Sequence, residues 1–511
     1  MLDQTITSHS SHSVPMADGA GVASKPREIF AYRPDLDGLR GLAVILVMAD
    51  HYFGSFDLFR GQLGVDIFFV ISGYLTTSII SKEYANGTFS FASFYARRIK
   101  RLFPTLIACF VVTLVVGWFV LDSAAFRLLG GTVAASASGV MNLVLAMGMD
   151  FFPTDARILP FGHLWSLALE EQFYLILPFV VVATKRNAVF RKMIIPILLI
   201  LSILSWQYWY EHREIFGRTY YNPLARSWEL LAGVILALSW GWIQGISVKY
   251  SAMVRPWNLI KIPVFLLRFI GTMLMVLEMG SNRGLVLAGT ACWIGAWFFL
   301  KRANDGAGMM NQGVAHGIST DATPSAKPFY SLMTLLGWFL ILSGLSMPHT
   351  VPLCVAAILS TIGMVALITG GTGLPNNAIF PSDQKSSSDE TQSPKPKSIP
   401  AHQNPHPVHK GWSYAFLSCA MMTYFGRISY ALYVIHYPLY TMWIMARGHQ
   451  VLLDKGLLTF MFLLCLEIGP MVYRYVEEPT RRAPYMWRWV GAMALCGVLG
   501  YMAACGWMTG A

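Results

Sequence analysis

The stretch "LRGLAVILVMADHYFG", residues 39–54, is apolar enough for a membrane helix but carries two residues that such a helix should avoid. Arg40 lies near its beginning and His51 near its end. At about 100° and about 1.5 Å per residue, an α-helix returns His51 to the face of Arg40, roughly 16 Å farther along. The sequence therefore predicts one membrane helix that holds a cation and an imidazole in line at two depths.

The whole chain has the composition of a membrane protein. Apolar residues make up 55% of its 511 residues and charged residues only 13%. Long apolar runs with few charges recur, and such runs are typical of spanning helices. The candidate segments are 38–54, 62–81, 102–121, 128–149, 163–183, 193–210, 225–243, 259–278, 284–300, 330–346, 351–369, 427–446, 456–476 and 487–508. We therefore predict an all-α, polytopic helical membrane protein with about 11–14 apolar segments.

Composition also divides the chain into regions. Residues 1–37 are polar and are expected to form a disordered cytoplasmic tail. A membrane domain should follow at 38–486, interrupted by a flexible loop at 370–411 whose Ser-, Pro- and Lys-rich sequence cannot bury a core. Residues 487–511 should add a further C-terminal transmembrane segment.

Basic loops predict the orientation of the chain. Residues 82–101 and 184–192 are both basic and should both be cytoplasmic, as should the N-terminus. Three candidate segments lie between these loops. An odd number of crossings would place the two loops on opposite sides of the membrane. We therefore expect 128–149, rich in small residues, to be a re-entrant segment. The net charge of +11 reflects such loops and does not indicate nucleic-acid binding.

Several polar residues interrupt the apolar segments. A charge at the bilayer centre costs at least about 2.5–3.5 kcal/mol, so such residues mark either a function or a buried pair. The groups are Arg40 with His51; Asp66; His163 with Glu170 and Glu171; and Arg226 with Glu229.

Some of these residues have simpler structural explanations. Arg226 and Glu229, three residues apart, favour an ion pair on one helix face. Asp66 is as readily a buried partner of Arg40 or a backbone contact as a functional group. His163 beside a loop favours a capping role. By contrast, Arg40 and His51 align on one face of a single span, and this alignment favours a function over a structural role.

A neutral imidazole such as that of His51 can take a proton from a hydroxyl or hold an acyl group. A nearby carboxylate would orient the ring, and Glu170 or Glu171 could supply it. Adjacent helical residues point about 100° apart, so we expect only one of the two to face the site. The apolar sequence around His436 favours a role in packing. After His51, however, His436 and His163 are the next candidates for the base.

Two arginines at a helix entrance could bind an anion. Arg98 and Arg101, in "FYARRIKRLFP", share a helix face, and guanidinium groups bind phosphates in a bidentate manner. From spacing alone, a role as positive anchors at the cytoplasmic surface is the better explanation.

Four motifs taken together resemble the acyltransferase 3 family of integral membrane acyltransferases. They are "RPDLDGLRGLAVILVMADHYFG"; "GVDIFFVISGYL" followed by "FYARRIKRLFP"; "HLWSLALEEQFYLILP"; and "FGRISYALYVIHYPL" with "YRYVEEPTRR". The resemblance extends from about 33 to 482, so it implies that 38–486 is a membrane acyltransferase domain.

The resemblance implies transfer of an acyl group, often acetyl, from cytoplasmic acyl-CoA to hydroxyls of cell-envelope or exported glycans. The family's arginine and histidine on the first helix match Arg40 and His51. Its Arg-x-x-Arg element, associated with the acyl donor, matches Arg98 and Arg101. Its glutamate in a tryptophan-containing motif matches one of the two glutamates of "HLWSLALEEQFYLILP".

We therefore predict an O-acyltransferase of the bacterial inner membrane. Its partners would be acyl-CoA, a glycan or glycolipid acceptor, membrane lipid and proteins of envelope polysaccharide synthesis, without a bound cofactor or metal. The predicted catalytic residues are His51, Arg40, Glu170 and Glu171, and the predicted substrate-binding residues are Arg98, Arg101, Asp66 and His163. The rival is a transporter or flippase for a glycan or lipid-linked sugar, which intramembrane charges also fit.

Overall fold

The computed structural model describes residues 32–54, 60–148, 158–253, 327–347, 349–371, 412–447, 454–481 and 486–507. These ranges are almost entirely helical and contain no β-strand, which confirms the all-α prediction. Most of the predicted tail, the loop at 370–411 beyond residue 371, and the predicted segments 259–278 and 284–300 lie outside the described residues.

The first helices are α1 (Pro34–Phe53), α2 (Gly64–Ala85, after a 3₁₀ turn at Gly61–Leu63) and α3 (Phe91–Val120). Helix α1 starts earlier than predicted, so residues 34–37 belong to it rather than to the tail. Pro34 suits the first helical position, and Asp35 in the first turn complements the positive end of the helix dipole. Arg33 and Asp35 form a buried ion pair at 2.6 Å that holds this start.

The segment predicted to be re-entrant is broken in the structure. Helices α4 (Ser123–Ala137) and α5 (Met141–Met147) meet at an angle of 120°. Gly139 lies in the break with φ +68°, a conformation that favours glycine. The bend fits the predicted re-entrant segment and a broken span equally, so both the re-entrant path and the sidedness of the flanking loops stay predictions.

Two further groups of helices complete the described fold. The first comprises α6 (Trp165–Arg186, after a 3₁₀ turn at Gly162–Leu164), α7 (Ala188–Glu211), α8 (Phe216–Tyr220), α9 (Pro223–Leu238) and α10 (Trp240–Met253). The second comprises α11 (Lys327–Leu345), α12 (Leu353–Gly370), α13 (Trp412–Leu417), α14 (Ala420–Arg447), α15 (Lys455–Val472), a π-helical turn at Tyr473–Glu477, α16 (Glu478–Arg481) and α17 (Met486–Ala504).

All predicted apolar segments that fall within the described residues are helical. Six of the described helical segments are long and apolar enough to cross a membrane, and up to eight if each bent helix pair counts as one span. Helix α1 is not among the six, because it carries four charged residues: Asp35, Asp37, Arg40 and Asp50. The protein is therefore a multi-pass membrane protein whose first helix has an unusually polar composition.

Helices α1 and α14 run parallel and in contact. A Cβ atom at Gly41 would lie only 2.6 Å from the carbonyl oxygen of Met422 and 2.9 Å from the nitrogen of Gly426. Ten residues beyond each glycine, His51 contacts His436. Equal spacing on both helices requires a common direction, and the contact extends over about 15 Å. Close packing at the glycines thus sets the register that brings the two histidines together.

Helix α17, the predicted C-terminal segment, packs against α4 through small residues. A Cβ atom at Gly500 would lie 2.8 Å from the backbone oxygen of Gly130 and 2.8 Å from the nitrogen of Ala134. Close backbone approach through small residues is a common means of helix association in membranes. Helix α17 therefore supports one side of the bent pair.

Candidate functional site

A groove runs between α1, α2, α3, α6 and α14. One face of α2 lines it from Val65 to Ile79, a length of about 21 Å along the helix axis. Much of its wall is apolar, including Phe68 and Leu75. The groove is therefore long enough to accept an extended substrate arm.

Arginines line one end of this groove. Arg98 is held by three contacts: Nη2 donates to Thr76 Oγ1 at 2.7 Å, Nη1 lies 3.7 Å from Glu171 Oε1, and the guanidinium carbon lies 3.2 Å from the centre of the Tyr174 ring. Helices α2 and α6 thus fix the position of an arginine that α3 supplies.

Arg40 and Arg101 also line the groove but lack direct partners. Within the described ranges, neither makes a hydrogen bond or an ion pair, but Arg101 is repelled by Arg40 and both arginines are attracted by the buried carboxylate of Glu477. Two neighbouring guanidinium groups repel each other, and Glu477, which already forms an ion pair with Arg481, offsets only part of that repulsion. This end of the groove therefore suits a phosphate-bearing ligand, which guanidinium groups bind with strong, directional hydrogen bonds.

Both glutamates of α6 line the groove, which corrects the expectation that only one of them faces the site. The groove wraps around α6 far enough to reach both side chains. Tyr174 donates a hydrogen bond to Glu170, and Glu171 lies beside Arg98. The expectation that one glutamate orients His51 does not hold, because both are engaged near the arginines and Nδ1 of His51 faces another histidine.

The partner of His51 is His436 of α14. His51 Nδ1 lies 2.9 Å from His436 Nε2, and His436 Nδ1 lies 2.8 Å from the carbonyl oxygen of Tyr433. His436 is fully buried, whereas His51 is only partly buried. The ring of His163, also buried, has its centre 5.1 Å from that of His436. Three separate parts of the chain therefore place an imidazole at the same end of the site.

Tyr433 connects the groove to the histidines. Its side chain lines the groove, and its hydroxyl donates to the His163 carbonyl oxygen at 2.8 Å. Because that hydrogen is used, the same hydroxyl accepts a hydrogen bond from Ser166, 2.6 Å away. The Tyr433 ring centre lies 5.3 Å from that of His163 and 5.6 Å from that of His436. Tyr433 thus forms the wall between the groove and the histidine cluster.

The order of residues along the helices gives the site a direction. On α1, the groove residue Arg40 precedes His51 by about 16 Å. At the start of α6, the order is reversed, from His163 to the groove residue Glu170. The histidine cluster lies beyond Tyr433 and does not itself line the groove, so this region has an arginine end in the groove and a histidine end next to it. In the described part of the chain, no group of His, Cys, Asp and Glu side chains could hold a metal ion.

Asp66 lies in a separate buried cluster between α2 and α9. Its Oδ1 is 2.5 Å from Arg226 Nη2, and Arg226 Nε is 3.3 Å from Glu229 Oε1. The predicted pairing of Arg226 with Glu229 is confirmed, whereas the suggested pairing of Asp66 with Arg40 is wrong. Because Asp66 is buried and is not among the groove-lining residues, its position favours a structural role over the predicted substrate contact.

Replacing Asp66 by alanine should strongly destabilise the protein. Arg226 is 1% exposed and would lose its closest counter-charge, and breaking a buried ion pair typically costs about 3–5 kcal/mol. We expect Asp66→Ala to lower the midpoint of thermal unfolding in detergent well below that of the wild type, and Asp66→Asn, which keeps an acceptor, to lower it less. An Asp66→Ala protein of normal stability with impaired donor binding would restore the substrate-binding interpretation.

The fold and this groove define a polytopic membrane protein with a cationic cleft and a buried histidine cluster. The sequence profile of a protein family, the acyltransferase domain family, matches residues 33–369. The chain therefore belongs to this family. This confirms the resemblance to the acyltransferase 3 family. The later motif that contains His436 lies outside the matched range.

Among its relatives, the "Putative peptidoglycan O-acetyltransferase YrhL" of Bacillus subtilis is 38% identical over 216 residues, which are 41% of this chain and 33% of that protein. The "Peptidoglycan O-acetyltransferase OatA" of Listeria monocytogenes is 35% identical over 216 residues, 41% of this chain and 34% of that protein. The matches thus span about a third of the length of these relatives. No solved structure matches the chain significantly.

Sequence reasoning interpreted His436 as a packing histidine and as a reserve candidate for the base, not as the partner of His51, and it did not single out Tyr433. A signal for His436 was present, because Gly41 precedes His51 by the same interval at which Gly426 precedes His436. Two helices packed in parallel through these glycines would bring the histidines together.

Proposed function

We propose that this protein transfers an acyl group, acetyl in the simplest case, from acyl-CoA to a hydroxyl of a cell-envelope polysaccharide or glycolipid. The observation that carries the proposal is an arginine-lined groove with a histidine pair just beyond Tyr433, which lines the groove and contacts the histidine cluster. Membership of the acyltransferase family and the names of the relatives support the same chemistry.

The arginine end would hold the phosphates of the donor. Arg40 and Arg101 make no hydrogen bond or ion pair in the described structure, the nearby Glu477 is already paired with Arg481, and both arginines line a groove that an anion can enter. The uncharged thioester arm would then extend along the apolar wall of α2 toward Tyr433. This arrangement keeps the charged part of the donor near one membrane surface and brings only its uncharged part to membrane depth.

The histidine end would carry out the transfer. His51 Nε2 would take the proton from the acceptor hydroxyl as its oxygen attacks the thioester carbonyl carbon. The carbon–sulfur bond then breaks, and the proton passes to the CoA thiolate that leaves. The products are an ester on the acceptor and CoA thiol, and the histidine returns to its neutral form.

The sidedness of the site follows from the same proposal. The basic segment 82–101 includes the start of α3 with Arg98 and Arg101, so we infer that the arginine end and the N-terminus face the cytoplasm of a bacterial cell. His51 would then face an acceptor that approaches from outside the inner membrane, delivered by proteins of envelope polysaccharide synthesis.

Gene deletion and complementation test the function. Ester-linked acetate should fall in the cell-surface polysaccharide fraction of the deletion strain and return with the wild-type gene but not with His51→Gln. Acetate that changes only in the lipid fraction would identify a lipid acceptor instead. Unchanged acetate in both fractions, with polysaccharide export lost, would contradict the proposal and favour the transporter.

A further inference from the structure

We propose that His436 is a positioning residue that fixes the tautomer of His51 and so leaves His51 Nε2 as the proton acceptor. The proposal rests on the proposed function, because it explains how the base of that reaction is prepared. It assigns a role to a buried side chain that the transfer chemistry does not otherwise use.

The first step concerns the hydrogen on His436. Its Nδ1 lies 2.8 Å from the carbonyl oxygen of Tyr433 and 3.2 Å from that of Leu432. A carbonyl oxygen can only accept a hydrogen bond, so Nδ1 of His436 must carry the hydrogen. Because these carbonyls belong to α14 itself, this tautomer is built into the helix.

The second step concerns the charge on His436. The side chain is 0% exposed, and no carboxylate among the described residues makes a hydrogen bond or ion pair with it. A second proton would leave an unpaired cation in the interior, which is costly. The imidazole is therefore neutral, and its Nε2 carries a lone pair.

The third step transfers this assignment to His51. Because Nε2 of His436 is an acceptor, the contact at 2.9 Å requires Nδ1 of His51 to donate. A neutral imidazole has a single N–H, so Nε2 of His51 carries the lone pair. That nitrogen has no partner among the described residues and belongs to the more exposed of the two rings.

The same hydrogen bond assists the reaction. When His51 takes a proton on Nε2, its Nδ1–H becomes a charged donor, and hydrogen bonds from charged donors are stronger than neutral ones. His436 thus supplies the orientation that a carboxylate supplies in other catalytic histidine pairs, without placing a negative charge in the membrane interior. The Tyr437 ring also packs against the His51 ring at a steep angle, with the two ring centres 4.6 Å apart, and so limits its rotation.

Three substitutions at His436 separate this role from packing. His436→Gln can place an amide oxygen where Nε2 lies and should keep kcat within about 10-fold of the wild type. His436→Phe and His436→Asn lack an acceptor at that place and should lower kcat about 10- to 100-fold, part of the roughly 10²–10⁴ that a positioned base contributes. The KM for acyl-CoA should stay unchanged, because His436 does not line the groove.

Tyr52→Phe is the matched control. It removes a 2.8 Å hydrogen bond from the Tyr52 hydroxyl to the backbone oxygen of His436 and leaves both imidazoles intact. We expect its kcat to match the wild type. A large loss in Tyr52→Phe, equal to that of His436→Phe, would show that packing around α14 matters and not the tautomer.

Nitrogen-15 NMR of histidine-labelled protein tests the tautomer without substrate. The wild-type His51 signal should show hydrogen on Nδ1 and a lone pair on Nε2, and His436→Phe should convert it to a mixture. His51 with hydrogen on Nε2, or His436→Phe with unchanged kcat, would overturn the proposal. A wild-type protein that shows the expected tautomer but transfers no acyl group would contradict the proposed function alone.

Discussion

Replacing His51 by glutamine should abolish acyl transfer while the protein still inserts and binds acyl-CoA. Glutamine can form hydrogen bonds but cannot accept a proton at neutral pH, so the substitution removes the base and keeps a polar side chain at this position. Loss of a general base lowers rates by roughly 10²–10⁴. The rate of label transfer from acetyl-CoA to a hydroxyl acceptor measures the effect.

A matched control is His212→Gln. His212 is exposed at the end of α7, with Nδ1 2.9 Å from the carbonyl oxygen of Tyr208, and should be replaceable without loss. If His51 also carries the acyl group, the loss should exceed the range for a base alone, and a labelled acyl-enzyme should be trapped in the wild type. Near-normal transfer by His51→Gln would make this imidazole structural, and His163 would become the next candidate.

Removing Arg98 and Arg101 together should weaken acyl-CoA binding more than folding. A hydrogen bond to a charged group contributes roughly 1.5–3 kcal/mol, which corresponds to about 10- to 150-fold in affinity for each contact. Both residues line the groove, and Arg101 has no hydrogen-bond or ion-pair partner within the described chain. Equilibrium binding of labelled acetyl-CoA to detergent-solubilised protein gives the affinity.

Arg97→Ala is the control from the same helix. Arg97 forms an exposed ion pair with Glu83 at 2.8 Å and does not line the groove, so its loss should leave donor affinity unchanged. The contacts of Arg98 with Thr76 and Tyr174 also support the fold, and Arg98→Lys serves to keep a charge there. Unchanged affinity in the double alanine variant would return both residues to the role of membrane anchors.

The sequence predicted the helices well because each apolar segment is a local feature. The hydrophobic pattern and the small-residue composition of 128–149 lie within single segments, and the structure shows helices in the described apolar segments and a bent pair at 128–149. The placement of Arg40 and His51 on one helix is equally local, since helical geometry alone sets their alignment.

Contacts between distant segments were less predictable. His436 is 385 residues from His51, and Arg226 is 160 residues from Asp66. Which partner a buried polar group finds depends on how helices pack, and the glycines that set this packing carry no polar signal of their own. Likewise, both Glu170 and Glu171 line the groove because the groove extends around α6. The periodicity of one helix does not show how far a groove extends around it.

The most direct test of the central claim, that donor and acceptor reach one site from opposite membrane faces, uses proteoliposomes with the protein inserted in one orientation. Labelled acetyl-CoA and a soluble hydroxyl acceptor are supplied on the same side or on opposite sides. We expect labelled ester only when acetyl-CoA is on the side of the loop 82–101 and the acceptor is on the other. Ester formed with both substrates confined to one side would contradict the account.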